Sequence, residues 1–231
     1  VDLSALRERY LAAQLAGNRR EVLRLVVEEG LQRGATVGQL QAQVIRAAQA
    51  EIGRLWQHNR ISIAQEHLAT ALSQLAMAHL FQHAEGAPPN GRKVVVACVE
   101  GELHDFPARL VSDALELAGF EVRFLGANVP TAHLVGLLRE EKPDLLCLSA
   151  TMSFHTPALR AAVLGAREAS PGLPVLVGGQ ACSWAAGLAE ELGVERSCTE
   201  AHELVERAER LTGLAPRAPQ QGPAGPVGVA S

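Results

Sequence analysis

The sequence predicts two structural classes in one chain: an N-terminal four-helix bundle, followed by a doubly wound parallel α/β domain of five strands. Three observations carry this reading. Residues 1–84 keep a helical apolar spacing throughout. Gly86-Ala87-Pro88-Pro89-Asn90-Gly91 then interrupts it with a Gly/Pro run. From Lys93 onward, short Val- and Leu-rich runs alternate with helical stretches, the pattern of a parallel sheet buried on both faces.

Leu3 to Leu15 forms the first helix. Asn18-x-x-Glu21, Thr36-x-x-Gln39 and Ser62-x-x-Gln65 have capping-box spacing and open three more. Val44, Ala48, Ile52 and Leu55 form one apolar stripe, and Leu68, Leu72, Leu75 and Ala76 another. Short connections make these helices antiparallel neighbours, hence a bundle over 1–84. Residues 85–92 are a linker. Strands are predicted over 93–99, 121–125, 144–149 and 174–178, with a fifth near 194–198. Helices are predicted over 106–118, 131–141, 156–169, 183–192 and 200–212, so 93–212 reads as a flavodoxin-like, Rossmann-like domain. Residues 213–231 are Pro/Gly-rich without periodicity and are expected to be a disordered tail.

Composition narrows the function classes. A hydrophobic fraction of 48% with 20% charged residues is that of a globular protein. The formal charge of −4, with no Lys/Arg cluster, argues against direct binding of nucleic acid. The absence of a signal peptide and of any apolar run of spanning length leads to the expectation of a soluble, cytoplasmic chain without membrane contact. Cys98, Cys147, Cys182 and Cys198 have no C-x-x-C spacing and read as small buried hydrophobes in a reducing compartment.

Three motifs fall at predicted strand carboxyl ends, where open α/β sheets bind ligands. Gly101-Glu102-Leu103-His104-Asp105 follows the first strand, Ser149-Ala150-Thr151-Met152-Ser153 the third, and Gly178-Gly179 the fourth. An imidazole beside a carboxylate can ligate a metal while a hydrogen bond fixes its tautomer. Turn and capping roles explain the serines, threonine and glycines equally well. In the bundle, Trp56 falls near the end of the third helix, and Glu66-His67 in the first turn of the fourth. An aromatic plate beside a carboxylate and an imidazole suits an apolar group carrying hydroxyls. A core Trp and a Glu favoured by the helix dipole account for the same residues. His79 and His83 share a helix face without a third ligand, and His133 and His202 read as surface. His155 follows the Ser149 loop and is a candidate pocket residue. No phosphate loop or nucleophile elbow is present, so the chain is read as a binding module and not an enzyme.

Glu102-x-His104-Asp105, Ser149-x-Thr151 and Gly178-Gly179 resemble the cobalamin-binding domain of methionine synthase and its relatives, over about residues 92–212. Ala118-Gly119-Phe120-Glu121-Val122 and Leu125 to Pro130 are in keeping with it. The resemblance implies a cobalamin whose dimethylbenzimidazole leaves cobalt and enters a slot beside the sheet. It implies His104 as the lower axial cobalt ligand, with Glu102 as its hydrogen-bond partner and Asp105 in the same cofactor loop. Ser149 would face the buried base, while Thr151, Ser153, Gly178 and Gly179 would line the nucleotide tail. The family pattern is Asp-x-His-x-x-Gly, Ser-x-Leu and Gly-Gly. This chain has Glu102 for Asp, Thr151 for Leu and Pro107 for the Gly, the last tolerated in a first helical turn.

Trp56, nine residues, then Glu66-His67 resembles the signature of light-sensing cobalamin photoreceptors of the carotenoid-gene regulator type. That resemblance implies adenosylcobalamin, with Trp56 against the adenosyl group and Glu66 and His67 hydrogen-bonded to it. Photolysis of the cobalt–carbon bond would then release Trp56 and shift the bundle against the sheet domain. Members of that group can carry a histidine directly after the Trp; here Gln57 stands there. His58 follows one position later and is the candidate for the upper cobalt position after photolysis. The implied partners are further copies of the chain or a regulator or effector protein. The alternative is a corrinoid methyl carrier serving a methyltransferase system. A response-regulator-like sheet without cofactor is disfavoured by the missing acidic phosphoacceptor cluster.

Overall fold

The computed structural model describes residues 1–184, 187–197 and 200–215. Cys198 and most of the expected disordered tail, 216–231, lie outside the described residues. The chain divides into two compact units: Val1–Asn90 with His104–Gly119, and Gly91–Leu103 with Phe120 onward.

The first unit is helical: α1 (Leu3–Leu15), α2 (19–33), α3 (37–57), α4 (Ile63–Phe81) and α5 (Phe106–Leu117). Its starts are those the capping signals announce. Asn18 accepts from the Glu21 amide, and Thr36/Gln39 and Ser62/Gln65 form complete capping boxes that satisfy orphan donors at the helix ends. Two features are not announced by the sequence pattern. Helices α2 and α3 pass through π-helical stretches, Leu25–Gly30 and Leu40–Arg46, with i→i+5 bonding.

The second departure is α5, which belongs to the helical unit although it follows the first strand. Phe106 is buried in the bundle core with Tyr10, Leu40, Met77 and Leu80, and Leu110 packs against it. Segment 85–90 is tied to the far end of α5, the Ala87 amide donating to the Leu117 carbonyl (2.8 Å) and the Asn90 amide to Gly119 (2.8 Å). The partition is therefore discontinuous in sequence, where consecutive segments 1–84, 85–92 and 93–212 were expected.

The second unit is a five-stranded parallel sheet of order β2-β1-β3-β4-β5, the doubly wound order expected. Its strands are β1 (Lys93–Val99), β2 (Glu121–Val129), β3 (Leu145–Ser149), β4 (Val175–Gly178) and β5 (Glu195–Arg196). Strand β1 is buried along almost its whole length, as its unbroken Val run requires. Helices α6 (Thr131–Glu141), α7 (Thr156–Ala169) and α10 (Ala201–Leu211) lie where predicted. Where a single helix is predicted over 183–192, the described residues form α8 (Ala181–Trp184) and α9 (Leu188–Glu191), the second starting after a left-handed Gly187. Strand β2 runs four residues beyond the predicted 125, because register shifts opposite Ala97 absorb the irregular Gly126-Ala127-Asn128 stretch. Cys98 and Cys147 are buried in strands, and burial pushes the Cys147 thiol up to about 12.

Candidate functional site

The three rim motifs converge because β1, β3 and β4 are adjacent in the sheet. Ser149 pairs in register with Cys98 on one side and with Gly178 on the other. All three motif strands therefore end level with one another, at the β1/β3 point where the strand order reverses.

Glu102 is the centre of this rim. Its carboxylate is 0% exposed, and one oxygen accepts from the Thr151 amide (2.6 Å) and the Met152 amide (3.1 Å). The same oxygen meets His155 Nδ1 at 2.9 Å. A buried carboxylate is tolerable only with such donors, and here they come from the loop of the neighbouring strand. The loop after β1 is fixed from its other side by Asn128, whose side chain accepts from the Gly101 amide (2.8 Å). The Asn128 amide in turn donates to the Glu102 carbonyl (2.8 Å). Gly179 adopts φ +90°, and a Cβ there would lie 2.2 Å from the Ala150 carbonyl oxygen, so only glycine lets the β3 and β4 loops close together. The Ala181 amide then donates to that carbonyl at 3.1 Å.

Two polar atoms in this frame have no hydrogen-bond partner: Ser149 Oγ and Thr151 Oγ1, both buried. Buried hydroxyls without partners are costly, which fits a polar ligand group that completes them. Beside them stand two exposed apolar side chains, Leu103 (71%) and Phe154 (67%), the latter edge-on to the His155 ring at 4.4 Å. Ser153 is exposed on the same loop.

The helical unit carries the remaining candidates. Asp105 is the N-cap residue of α5 and accepts from Gln74 of α4 (2.7 Å); His104, just before it, is exposed. Trp56 lies half-buried one residue from the end of α3. Glu66, in the first turn of α4, pairs with His67 Nδ1 at 2.6 Å and accepts from Thr70 Oγ1 at 2.8 Å. Gln57 is exposed and closes α3. His58 caps that helix with Nδ1 2.7 Å from the Arg54 carbonyl. In the neutral imidazole this leaves the lone pair on Nε2, the form a metal ligand needs.

His155, Asn128, Leu103 and Phe154 are the rim residues that residue-type patterns do not single out. His155 carries a positional signal, following the Ser149 loop. Asn128 lies in the Leu125 to Pro130 stretch that the resemblance includes, and the structure adds its bonds to Gly101 and Glu102. Among the described residues there is no cluster of three or more His, Cys, Asp and Glu able to hold a metal by protein ligands alone.

A flavodoxin-like sheet with a rigid carboxylate and two unpartnered hydroxyls at its switch point, attended by a helical unit, is a ligand-binding architecture. Family models described as B12 binding domain match residues 92–209 and, by a second model, 6–81. The first alone covers just over half of the chain, and the chain belongs to the B12-binding domain family: it is a cobalamin-binding protein. The chain is similar to the HTH-type transcriptional repressor CarH of Myxococcus xanthus, 31% identical over 66% of this chain but only 50% of the repressor's length. It is also similar to dimethylamine corrinoid protein 1 of Methanosarcina acetivorans, 28% identical over 72% of this chain and 79% of that protein. Among solved structures, the monomethylamine corrinoid protein of Methanosarcina barkeri shares the fold, with a TM-score of 0.80 over 90% of this chain and 99% of that one at 20% identity. No helix among the described residues is long and apolar enough to cross a membrane.

Proposed function

We propose that this chain is a light-sensing adenosylcobalamin-binding module, a binding and signalling protein and not an enzyme. The observation that carries the reading is the fixed Glu66–His67 pair at the start of α4, preceded by Trp56 near the end of α3. A methyl group offers a carboxylate nothing to bond, whereas the ribose of an adenosyl group offers hydroxyl donors and its adenine an aromatic face. Adenosylcobalamin would supply a light-cleavable cobalt–carbon bond.

In this reading His104 would be the residue that ligates the cobalt. Ser149 and Thr151 take their missing hydrogen-bond partners from the base and nucleotide tail, with Ser153, Gly178 and Gly179 alongside. Glu102 holds the β3 loop so that these hydroxyls stay in place, and Asp105 anchors the start of α5. Trp56 would pack on the adenosyl group, and a change in that packing would alter assembly with further copies or with a regulator or effector protein. His58 is the residue of α3 whose imidazole would be able to ligate a metal, since the Gln57 amide nitrogen is not a basic donor. The similarity to CarH, a transcriptional repressor, favours a regulatory output, with this chain matching only part of that protein.

A second reading has its own support. The alignment to the dimethylamine corrinoid protein covers 79% of that protein, so a methyl-carrier role with a methyltransferase partner is the alternative. Reconstitution with adenosylcobalamin and methylcobalamin in darkness separates the two, with absorption spectra and oligomer size recorded before and after green light. The first reading expects adenosylcobalamin binding and a light-dependent change in size, both sharply reduced by His104→Ala. Binding of both forms without any change in size would establish the carrier instead.

A further inference from the structure

The helical unit contains a line of polar side chains that runs from its core to Glu66. Gln14 of α1 is completely buried and donates through Nε2 to the Ala69 carbonyl (3.1 Å) and to Ser73 Oγ (2.8 Å). Ser73 Oγ, also completely buried, donates to Gln49 Oε1 of α3 (2.9 Å). Gln49 Nε2 donates to Thr70 Oγ1 (2.5 Å), and Thr70 Oγ1 donates to Glu66 Oε1 (2.8 Å). His67 Nδ1 meets the other carboxylate oxygen at 2.6 Å.

The direction of these bonds is as informative as their lengths. Within the line, the Ser73 and Thr70 hydroxyls each accept from one neighbour and donate to the next, and the Gln49 amide accepts on its oxygen and donates on its nitrogen. All four links therefore point the same way and end on a carboxylate, the strongest acceptor present. Bonds aligned in series polarise and strengthen one another. Three helices contribute, so the line is not a local helical motif. A Thr inside a helix commonly bonds to the carbonyl four residues back; Thr70 instead reaches the side chain of the residue four back. Buried polar groups at Gln14 and Ser73 add nothing to hydrophobic burial, and an apolar pair would fill the bundle at lower cost. What the line specifies is the orientation of Glu66. Each oxygen of that carboxylate has one contact and retains acceptor capacity for a further donor.

We infer that Thr70 and Gln49 are positioning residues, which fix the Glu66 carboxylate through the Gln14–Ser73–Gln49–Thr70 chain and so set the preference for adenosylcobalamin over methylcobalamin. The inference rests on the upper-face role proposed for Glu66. It makes selectivity a property of three helices and not of one first-turn residue. Thr70 and Gln49 touch no ligand in this scheme; they act through Glu66 alone.

The test measures dissociation constants of the full chain for both cobalamins in darkness, with Glu66→Gln, Thr70→Val, Thr70→Ser and Gln49→Met. Glu66→Gln is expected to weaken adenosylcobalamin binding about tenfold while leaving methylcobalamin unchanged. Thr70→Val and Gln49→Met should each reproduce about three- to tenfold of that loss, and Thr70→Ser should restore the parent ratio. In the cofactor-free protein, Thr70→Val should also move the Gln49 side-chain amide resonances, and Thr70→Ser should return them. If Glu66→Gln lowers the ratio but neither Thr70→Val nor Gln49→Met does, the positioning role is overturned and the function stands. If Glu66→Gln leaves the ratio unchanged, the upper-face reading and this inference fall together. Should Thr70→Val fail to fold, the Gln49→Met ratio decides.

Discussion

Each unit of the molecule contains a Glu–His pair, and the two are held by different means. Glu102 in the sheet unit is fully buried, gripped by two backbone amides, and joined to a histidine 53 residues away. Glu66 in the helical unit is partly exposed, next to its histidine in sequence, and held from inside by side chains. Backbone donors move only if the fold moves, so the sheet unit keeps one geometry. Side-chain donors can be exchanged singly, so the helical unit can change its acceptor without losing its fold.

Glu102→Ala would break this comparison most directly. It leaves two amides and an imidazole without their buried acceptor and should cost about 3 kcal/mol of folding stability, against about 1 kcal/mol for Glu66→Ala. Urea unfolding of the cofactor-free protein measures both, and equal losses would refute the distinction. Gly179→Ala comes next. Its Cβ would collide with the Ala150 carbonyl from a left-handed backbone, so about 2 kcal/mol should be lost together with cobalamin affinity. Unchanged affinity in a folded Gly179→Ala protein would mean the loop closure is not needed for the ligand.

The smallest effect concerns a side-chain pair of the helical unit. Asp113 of α5, 7% exposed, accepts from Gln41 of α3 at 3.2 Å. Burial pushes its carboxyl from 3.8 up to about 6, against the opposing pull of Arg109, while Glu116 adds to the rise. The folded pKa lies above the unfolded one, so the favourable contribution is complete below 3.8 and lost as pH rises through 6. Asp113→Asn should therefore stabilise the protein by about 1 kcal/mol at neutral pH, with screening at this partly open site allowed for, and by nothing near pH 3.5. Thermal melts across that range would show it, and a pH-independent gain would assign the effect to packing.

Much of the fold is legible before any coordinates. The Thr36/Gln39 and Ser62/Gln65 boxes, the Val94 to Val99 run and the strand–helix alternation are local signals with local causes, and the elements start where those signals stand. Membership of α5 in the bundle is not legible. Phe106 suits a sheet-packing helix as well as a bundle core, and only the fold chooses between them. The π-helical stretches are equally silent in the sequence pattern.

The candidate site divides along the same line. The residue types and their spacing, Glu102-x-His104, Ser149-x-Thr151, Gly178-Gly179 and Trp56 with Glu66-His67, are carried by the sequence, because chemistry and turn geometry restrict which residues can stand there. Which groups hold them was decided by tertiary structure. The sheet order places the β3 loop amides and His155 on Glu102, and three packed helices line up Gln14, Ser73, Gln49 and Thr70 behind Glu66. A hydrogen bond between residues distant in sequence leaves no periodic trace in either partner. Its existence depends on angstrom-scale placement that only the packed chain supplies.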